Sequence, residues 1–200
     1  MRVGEIMNKD PITIGPDTRV GEALQLMKQH QIRHLPVIKD DIMVGWISAR
    51  TLREVLLASM LEVITVADVM VQAPISVTPD TSVEEAARLV HEHRIGGLPV
   101  LEGEKLVGVL TVNDLLGAFI VMLGLLRSSS RLDLLLDTKP KTLEKVSRLI
   151  QDSGGKIINI ALGPTKDGQR CYFFRIEKCD LEPIINTLKE QGYQVVDFID

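Results

Sequence analysis

The chain has 200 residues, of which 25% are charged and 4% aromatic, and its formal net charge is −4 at pH 7. This length allows one or two domains with a hydrophobic core. A negative net charge without a basic block argues against nucleic acid as the main partner. The longest apolar run, Leu115 to Leu126, has twelve residues, whereas spanning a bilayer takes about twenty. We therefore expect no membrane segment.

Two further features concern the cellular compartment. A sequence repeat begins within the first residues, and we therefore expect no signal peptide. The only cysteines, Cys171 and Cys179, have no metal-ligand spacing and no histidine near them. Together these features predict reduced thiols in a cytoplasmic protein, with no metal site.

The strongest signal in the chain is an internal repeat at an offset of 63. Residues 3–52 (copy one) align without a gap with residues 66–115 (copy two), with 19 identities in 50 positions. Leu35-Pro36-Val37, for example, aligns with Leu98-Pro99-Val100. A match of this length indicates a duplication.

Each copy predicts the same order of elements. A short strand such as Ile12 to Ile14 comes first, and a helix from Val20 to His30 follows with a buried apolar face. Two apolar runs around a polar break, as at Leu98 to Leu101 and Leu106 to Leu110, predict a β-hairpin. A second helix ends the copy. Because each copy is too small to bury its sheet alone, we expect the two to pack about a pseudo-twofold axis with two related clefts.

A Thr-x-x-Asp sequence, Thr111 to Asp114, follows the second hairpin of copy two and opens the apolar helix. One interpretation is a capping box, in which each side chain bonds the backbone N–H of the other. The other is a sugar site, because a carboxylate can accept hydrogen bonds from both hydroxyls of a diol. In copy one Ser48 keeps the hydroxyl, but Thr51 stands where the carboxylate would be.

With these motifs, the first 124 residues resemble a tandem pair of cystathionine-β-synthase (CBS) domains. The resemblance implies an α/β (α+β) fold and a regulatory module that binds an adenosine-containing ligand, namely AMP, ADP, ATP or S-adenosylmethionine, and no cofactor. In this family the carboxylate of the last motif holds the ribose and the preceding hydroxyl supports it. We therefore expect one good site, in the cleft that contains Asp114.

The resemblance assigns residues to both clefts. In the main site, Thr111 and Asp114 would hold the ribose, and the remaining contacts would come from Met7, Ile12, Ile32, Arg33, His34 and Gly97. The second cleft lacks a carboxylate, and charge-assisted hydrogen bonds are roughly twice as strong as neutral ones. We expect it to be weak or empty; it comprises Ser48, Thr51, Met70, Ile75 and Gly96. Beside this cleft, Arg50 and Arg53 either receive a phosphate or form a solvated helix face.

The composition changes after the apolar helix. The sequence Arg127-Ser128-Ser129-Ser130 predicts a linker. The patterns after it predict the element order β-α-β-β-α-β, which is that of the ferredoxin-like fold. This part resembles an ACT domain, and the whole arrangement is similar to the acetoin-utilisation protein B group. The predicted segments are residues 1–62 and 63–126 (the two CBS domains), 127–130 (linker) and 131–200 (ACT-like domain).

Three functions remain to be compared. The first is a nucleotide sensor, and the second is a structural or assembly module with vestigial clefts. The third is an enzyme, which we do not expect because the sequence has no nucleophile–base pair, metal cluster or phosphate-binding glycine loop. The apolar helix Leu115 to Leu126 should be buried, which predicts a homodimer through the CBS helices, the ACT-like domain or both.

Overall fold

A computed structural model describes residues 1–58, 64–166 and 168–200. The chain divides into two compact units, Met1–Ala118 and Phe119–Asp200. The division falls within the last helix of copy two, earlier than the predicted linker at residues 127–130. The predicted boundary between the two copies, at residues 62 and 63, lies outside the described residues.

The first unit contains the two copies, and their elements repeat in the predicted order. A short helix, α1 (Val3–Ile6), begins copy one. Copy one then forms α2 (Val20–Gln29), β1 (His34–Lys39), β2 (Ile42–Ser48) and α3 (Ala49–Ala58). Copy two forms α4 (Val83–His93), β3 (Gly97–Glu102), β4 (Lys105–Thr111) and α5 (Val112–Met122).

The two predicted hairpins are confirmed and have the same register. His34 pairs with Ser48 in copy one, and Gly97 pairs with Thr111 at the equivalent place in copy two. Each ladder shifts once, after Val37 in copy one and after Val100 in copy two. The repeat is therefore preserved down to the position of a bulge, which bends both hairpins alike.

The predicted short first strand is wrong in both copies. Ile14 forms only a single bridge with Val37, and Val77 forms only a single bridge with Val100. Backbone hydrogen bonds on either side hold each bridge, such as Ile38 N–H to Ile14 O at 2.8 Å. The segment before each bridge runs elsewhere because its backbone groups bond to the other copy.

The two copies exchange their N-terminal segments. Val3 N–H donates to Thr81 O at 2.9 Å in copy two, whereas Val66 N–H donates to Thr18 O at 2.8 Å in copy one. Both valines are fully buried. Val66 belongs to the hydrophobic cluster of copy one, whose largest members include Met27. Each copy therefore completes its core with the segment that begins the other copy.

The second unit has the predicted order β5 (Ser129–Asp137), α6 (Pro140–Asp152), β6 (Ile157–Lys166), β7 (Gln169–Glu177), α7 (Glu182–Glu190) and β8 (Gln194–Ile199). Its strands form one antiparallel sheet in the order β6-β7-β5-β8, which is the ferredoxin-like arrangement. Strand β5 begins two residues earlier than predicted, because Ser129 and Ser130 pair with β7. A separate cluster, including Leu134, Ile150 and Phe174, forms its core.

Candidate ligand site

The predicted Thr-x-x-Asp turn lies where β4 ends and α5 begins. Oδ2 of Asp114 accepts from the Thr111 backbone N–H at 2.8 Å and from the Thr111 hydroxyl at 2.6 Å. The Asp114 N–H points back to the Thr111 hydroxyl at 3.4 Å. These contacts form the capping box that the spacing predicted.

The cap uses only one of the two carboxylate oxygens. Within the described residues, no hydrogen bond reaches Oδ1 of Asp114, and this side chain is only half-buried. A carboxylate oxygen has two lone pairs and accepts more than one hydrogen bond. The cap therefore orients the carboxylate while leaving Oδ1 able to accept from a ligand. The two interpretations of the spacing are compatible.

The equivalent turn of copy one has the same shape without the charge. The hydroxyls of Ser48 and Thr51 lie 2.9 Å apart and share a hydrogen bond, and the Thr51 N–H donates to Ser48 Oγ at 3.2 Å. Among the described contacts, Thr51 does not reproduce the hydrogen bond that Asp114 accepts from the Thr111 backbone N–H, and its hydroxyl offers one neutral oxygen. The asymmetry predicted from the sequence thus appears as two turns of like geometry and unlike charge.

His34 lies where the two copies meet. Its imidazole stacks on Trp46 with the ring centroids 5.4 Å apart. The other side of the ring lies against copy two: a Cβ added at Gly96 would come within 2.7 Å of His34 Cε1, and one at Gly97 within 3.5 Å of Nδ1. Burial, and then the positive charge of Arg33, lower the pKa of His34 below its ordinary value.

Gly96 and Gly97, which lie against the His34 ring, are both bonded to residues at the Thr-x-x-Asp turn. Gly97 pairs with Thr111 in the ladder, and the Val112 N–H at the start of α5 donates to Gly96 O at 3.2 Å. The structure thus places Gly96, predicted for the second cleft, beside Gly97 and His34 of the main site. His34 also pairs with Ser48 in copy one. A shift of the imidazole would therefore affect both the Ser48–Thr51 turn and the Thr111–Asp114 turn.

Two methionines pack against the strands that lead to the turns. Met7 Sδ would lie 2.6 Å from a Cβ added at Gly108 of β4, and Met70 Sδ would lie closer still to one added at Gly45 of β2. The absence of a side chain at each glycine thus leaves room for a methionine against the strand. Met7 therefore borders the strand that ends at Thr111, and Met70 borders the strand that ends at Ser48.

Ile12 and Ile75 lie on the segments that cross between the copies. Asn8 is bridged to Val109 of copy two and Ile14 to Val37 of copy one, so Ile12 lies on the crossing between them. Ile75 occupies the equivalent crossing, between the bridges formed by residues 71 and 77. Ile12 also packs on the core of copy one, whereas Ile75 is 37% exposed.

Ile32 and Arg33 have a different setting from the rest of the predicted main site. Both line a cavity between α2 and α3 of copy one, and Ile32 also packs on the core of that copy. Neither Thr111 nor Asp114 lines this cavity. From the sequence, Arg33 was assigned to the same site as its neighbour His34. The direction of the Arg33 side chain depends on the conformation of the loop before β1, and hydrophobic periodicity does not predict the conformation of a loop.

Sequence reasoning missed a second Thr-x-x-Asp turn. Thr65 donates to Asp68 Oδ2 from its N–H at 2.8 Å and from its hydroxyl at 2.7 Å. These bonds, the hydroxyl first, lower the pKa of Asp68. The spacing alone would have found this turn, but it caps a single 3-10 turn, Val66–Asp68, and is exposed. Equal spacing therefore does not define the ligand site.

In residues 1–58, 64–166 and 168–200, no group of three or more His, Cys, Asp or Glu is arranged to hold a metal ion. No helix in these same ranges is long and apolar enough to cross a bilayer.

Comparison with protein families finds the same domain twice in this chain. The CBS domain model matches residues 3–58 and 66–121, more than half of the sequence. The chain belongs to the CBS domain family. The match covers both copies, and the resemblance found from the sequence is confirmed for this part of the chain.

Solved CBS pairs are similar to the first unit. The acetoin utilization protein AcuB from Vibrio cholerae is 29% identical with a TM-score of 0.58, over 62% of this chain and 96% of that one. CBSX2, in complex with AMP, is 30% identical with a TM-score of 0.53, over 60% and 96%. The CBS pair of MJ0100, in complex with 5-methylthioadenosine and S-adenosyl-L-methionine, is 27% identical with a TM-score of 0.55, over 60% and 95%.

A curated relative places a CBS pair inside a longer enzyme. Inosine-5'-monophosphate dehydrogenase of Methanocaldococcus jannaschii is 33% identical over 117 residues, which are 58% of this chain and 23% of the dehydrogenase. The chain thus spans about a quarter of that relative. The likeness concerns the CBS region, and no catalytic activity follows from it.

Proposed function

We propose that the chain is a non-catalytic regulatory module that binds one adenosine-containing ligand between its CBS copies, at the Thr111–Asp114 turn. The observation that carries the proposal is the Asp114 carboxylate, oriented through Oδ2 with Oδ1 left to accept. The ribose hydroxyls are donors that such an oxygen can hold. Support comes from the AMP bound by CBSX2 and the adenosine derivatives bound by MJ0100.

The proposal includes a route from the site to the rest of the first unit. Gly97 joins Thr111 to the His34 ring, and His34 joins the strand pair of copy one. A ligand that contacts His34 and Asp114 together would hold the two copies in one arrangement. It shifts that equilibrium only by the difference in its affinity for the two arrangements.

The test is calorimetric titration with AMP, ADP, ATP and S-adenosylmethionine, after denaturing extraction of a separate sample to check for ligand carried through purification. We expect one site of micromolar or tighter affinity, about −8 kcal/mol or better. Asp114→Ala should weaken binding at least tenfold, because it removes a charged acceptor worth about 1.5–3 kcal/mol per hydrogen bond.

Asp68→Ala is the matched control. Asp68 makes the same two cap hydrogen bonds, so its loss should cost comparable stability while leaving ligand affinity unchanged. If Asp114→Ala binds as tightly as the wild type, or if Asp68→Ala weakens binding equally, the site assignment is wrong. Titrations without heat for all four ligands, with none extracted, would refute the sensor.

A second candidate, an assembly module with vestigial clefts, is favoured by exposed apolar side chains in and after α5. Leu116 is 56% exposed, Val121 58% and Leu126 78%, and exposed apolar side chains close together in sequence are typical of an interaction surface. We propose that they meet a second copy and form a homodimer. A chain that is dimeric by light scattering, with no response to nucleotides, would favour this candidate.

The second unit offers another surface for pairing between chains. Its ferredoxin-like sheet ends at β8, where Val196, Phe198 and Ile199 are 55%, 51% and 49% exposed. We propose that this unit is an ACT-like module that pairs through this edge with another chain, in a cytoplasmic protein. Removal of residues 127–200 would then weaken the dimer.

A further inference from the structure

The cavity between α2 and α3 of copy one is separate from the turn assigned to the nucleotide. Its volume is about 360 Å3, within the range of small-molecule pockets. One part of its lining is apolar, formed by Leu24, Met27 and Ile32. Leu24 and Ile32 pack on the core of copy one and Met27 is buried in it, so this wall is firmly held.

The rest of the lining is strongly basic. Lys28, Arg33 and Arg53 all border the cavity, and none of the described residues that line it is acidic. Arg53 Nε donates to the Ala49 carbonyl at 3.1 Å, which fixes the guanidinium near the cavity. By contrast Arg50, on the same helix, pairs with Glu54 at 2.9 Å. Within the described part of the chain, neither Lys28 nor Arg33 forms an ion pair.

Copy two shows that the fold does not require the two arginines. At an offset of 63, Arg33 is replaced by Gly96 and Arg53 by Leu116, whereas Lys28 is replaced by His91. The hairpins of both copies nevertheless have the same register. Because like charges repel one another, three neighbouring cations in a lining with no acidic residue among those described favour a bound anion.

We propose that the α2–α3 cavity binds an organic anion with a dianionic head group and an apolar body. The head would lie among Lys28, Arg33 and Arg53, since guanidinium groups bind phosphate or carboxylate oxygens in pairs. The body would lie on Leu24 and Met27. This site does not depend on nucleotide binding at Asp114, and a phosphate monoester is the head group that best matches three cations.

Hexyl phosphate tests the proposal in calorimetric titrations of the full chain. We expect it to bind at least tenfold more tightly than inorganic phosphate, which lacks the body, and than hexanoate, which carries a single charge. Hexan-1-ol, which lacks the head, should give no measurable binding. Equal affinity for hexanoate and hexyl phosphate, or for phosphate with and without the hexyl chain, would overturn the proposal.

Variants of single residues test whether hexyl phosphate binds in the α2–α3 cavity. Arg53→Leu, which introduces the residue of copy two, and Lys28→Gln should each weaken hexyl phosphate at least tenfold and leave AMP affinity unchanged. Arg50→Leu is the matched control, because it removes an equal charge from the same helix outside the cavity. Binding that survives Arg53→Leu, or that Arg50→Leu weakens equally, would overturn the proposal. Circular dichroism confirms that each variant is folded.

Discussion

Thr51→Asp is expected to create a second nucleotide site in copy one. The turn is already formed: the Ser48 hydroxyl lies 2.9 Å from Thr51 Oγ1, much as the Thr111 hydroxyl lies 2.6 Å from Asp114 Oδ2. A carboxylate at position 51 would accept from Ser48 through one oxygen and present the other. The new charge also lies in the first turn of α3, where the helix dipole stabilises an anion by about 0.3–1 kcal/mol.

The size of the effect follows from the hydrogen bonds gained. A hydrogen bond to a charged acceptor contributes about 1.5–3 kcal/mol, against about 0.5–1.5 kcal/mol for a neutral one. For the two hydroxyls of a ribose, the difference comes to about 2 kcal/mol, which is roughly thirtyfold in affinity. The stoichiometry of AMP or ATP binding should therefore rise from one to two per chain.

Calorimetry measures this stoichiometry. Trp46 fluorescence does not distinguish the two sites, because Trp46 lies two residues before Ser48 but also stacks on His34 of the main site, so the location of the new site is tested with variants. Thr51→Asn keeps the shape without the charge and should not gain the site. In the double variant Thr51→Asp, Asp114→Thr, one site should remain, now in copy one. A stoichiometry of one in Thr51→Asp would refute the reasoning.

Three further predictions concern stability and the junction between the copies. Because the folded protein holds the pKa of His34 below 6.5, the thermal midpoint should fall as pH drops from 6.5 toward 5, and His34→Gln should remove that part of the decrease. Gly96→Ala should displace the His34 ring and change Trp46 fluorescence. Leu52→Ala should cost about 2–5 kcal/mol in urea unfolding followed by Trp46, whereas Phe174→Ala should act on the second unit, since their clusters are separate.

Each of these predictions has a result that contradicts it. His93→Gln, in an exposed histidine of α4, is the control for the pH dependence; a profile unchanged in His34→Gln would assign that dependence to other groups. An unaltered Trp46 spectrum in Gly96→Ala would mean that the ring stack does not depend on the glycine. Equal shifts of the Trp46 transition in Leu52→Ala and Phe174→Ala would contradict two separate cores.

The hairpins were predictable because their signal is local. Apolar runs of strand length around a polar break specify two buried strands, and an offset of 63 gives the same pattern twice. The structure adds that both ladders have one shift at the same place, after Val37 and Val100. The order of elements in the second unit was predictable for the same reason, because alternating strands and amphipathic helices leave distinct periods.

The exchange of N-terminal segments was not predictable from either copy alone. Ile12 to Ile14 has the composition of a strand, and the sequence predicted one. In the structure, the backbone of this region is divided between copies, with Asn8 bonded to Val109 and Ile14 bonded to Ile38. A pairing across copies depends on contacts between distant residues and leaves no local period, so only the structure reveals it.

The candidate site was also predictable from the sequence only in part. The spacing of Thr111 and Asp114 predicted their contact, because residues three apart share a face at a helix start. It did not show that the cap uses Oδ2 alone. The direction of Arg33 was beyond the sequence for a different reason: a long exposed side chain on a loop has many rotamers, and its setting depends on α2 and α3 packing beside it.

The duplication explains how one backbone could carry two kinds of binding site. Positions that build the fold match between the copies, such as the buried Leu35 and Leu98. Positions near the start of the last helix of each copy differ in charge: Thr51 against Asp114, and Arg53 against Leu116. Because such changes leave the hairpin register intact, each copy can change its chemistry at little cost in stability. On our proposals, copy two kept the anionic group that holds a ribose, and copy one gained the cations that hold an anion.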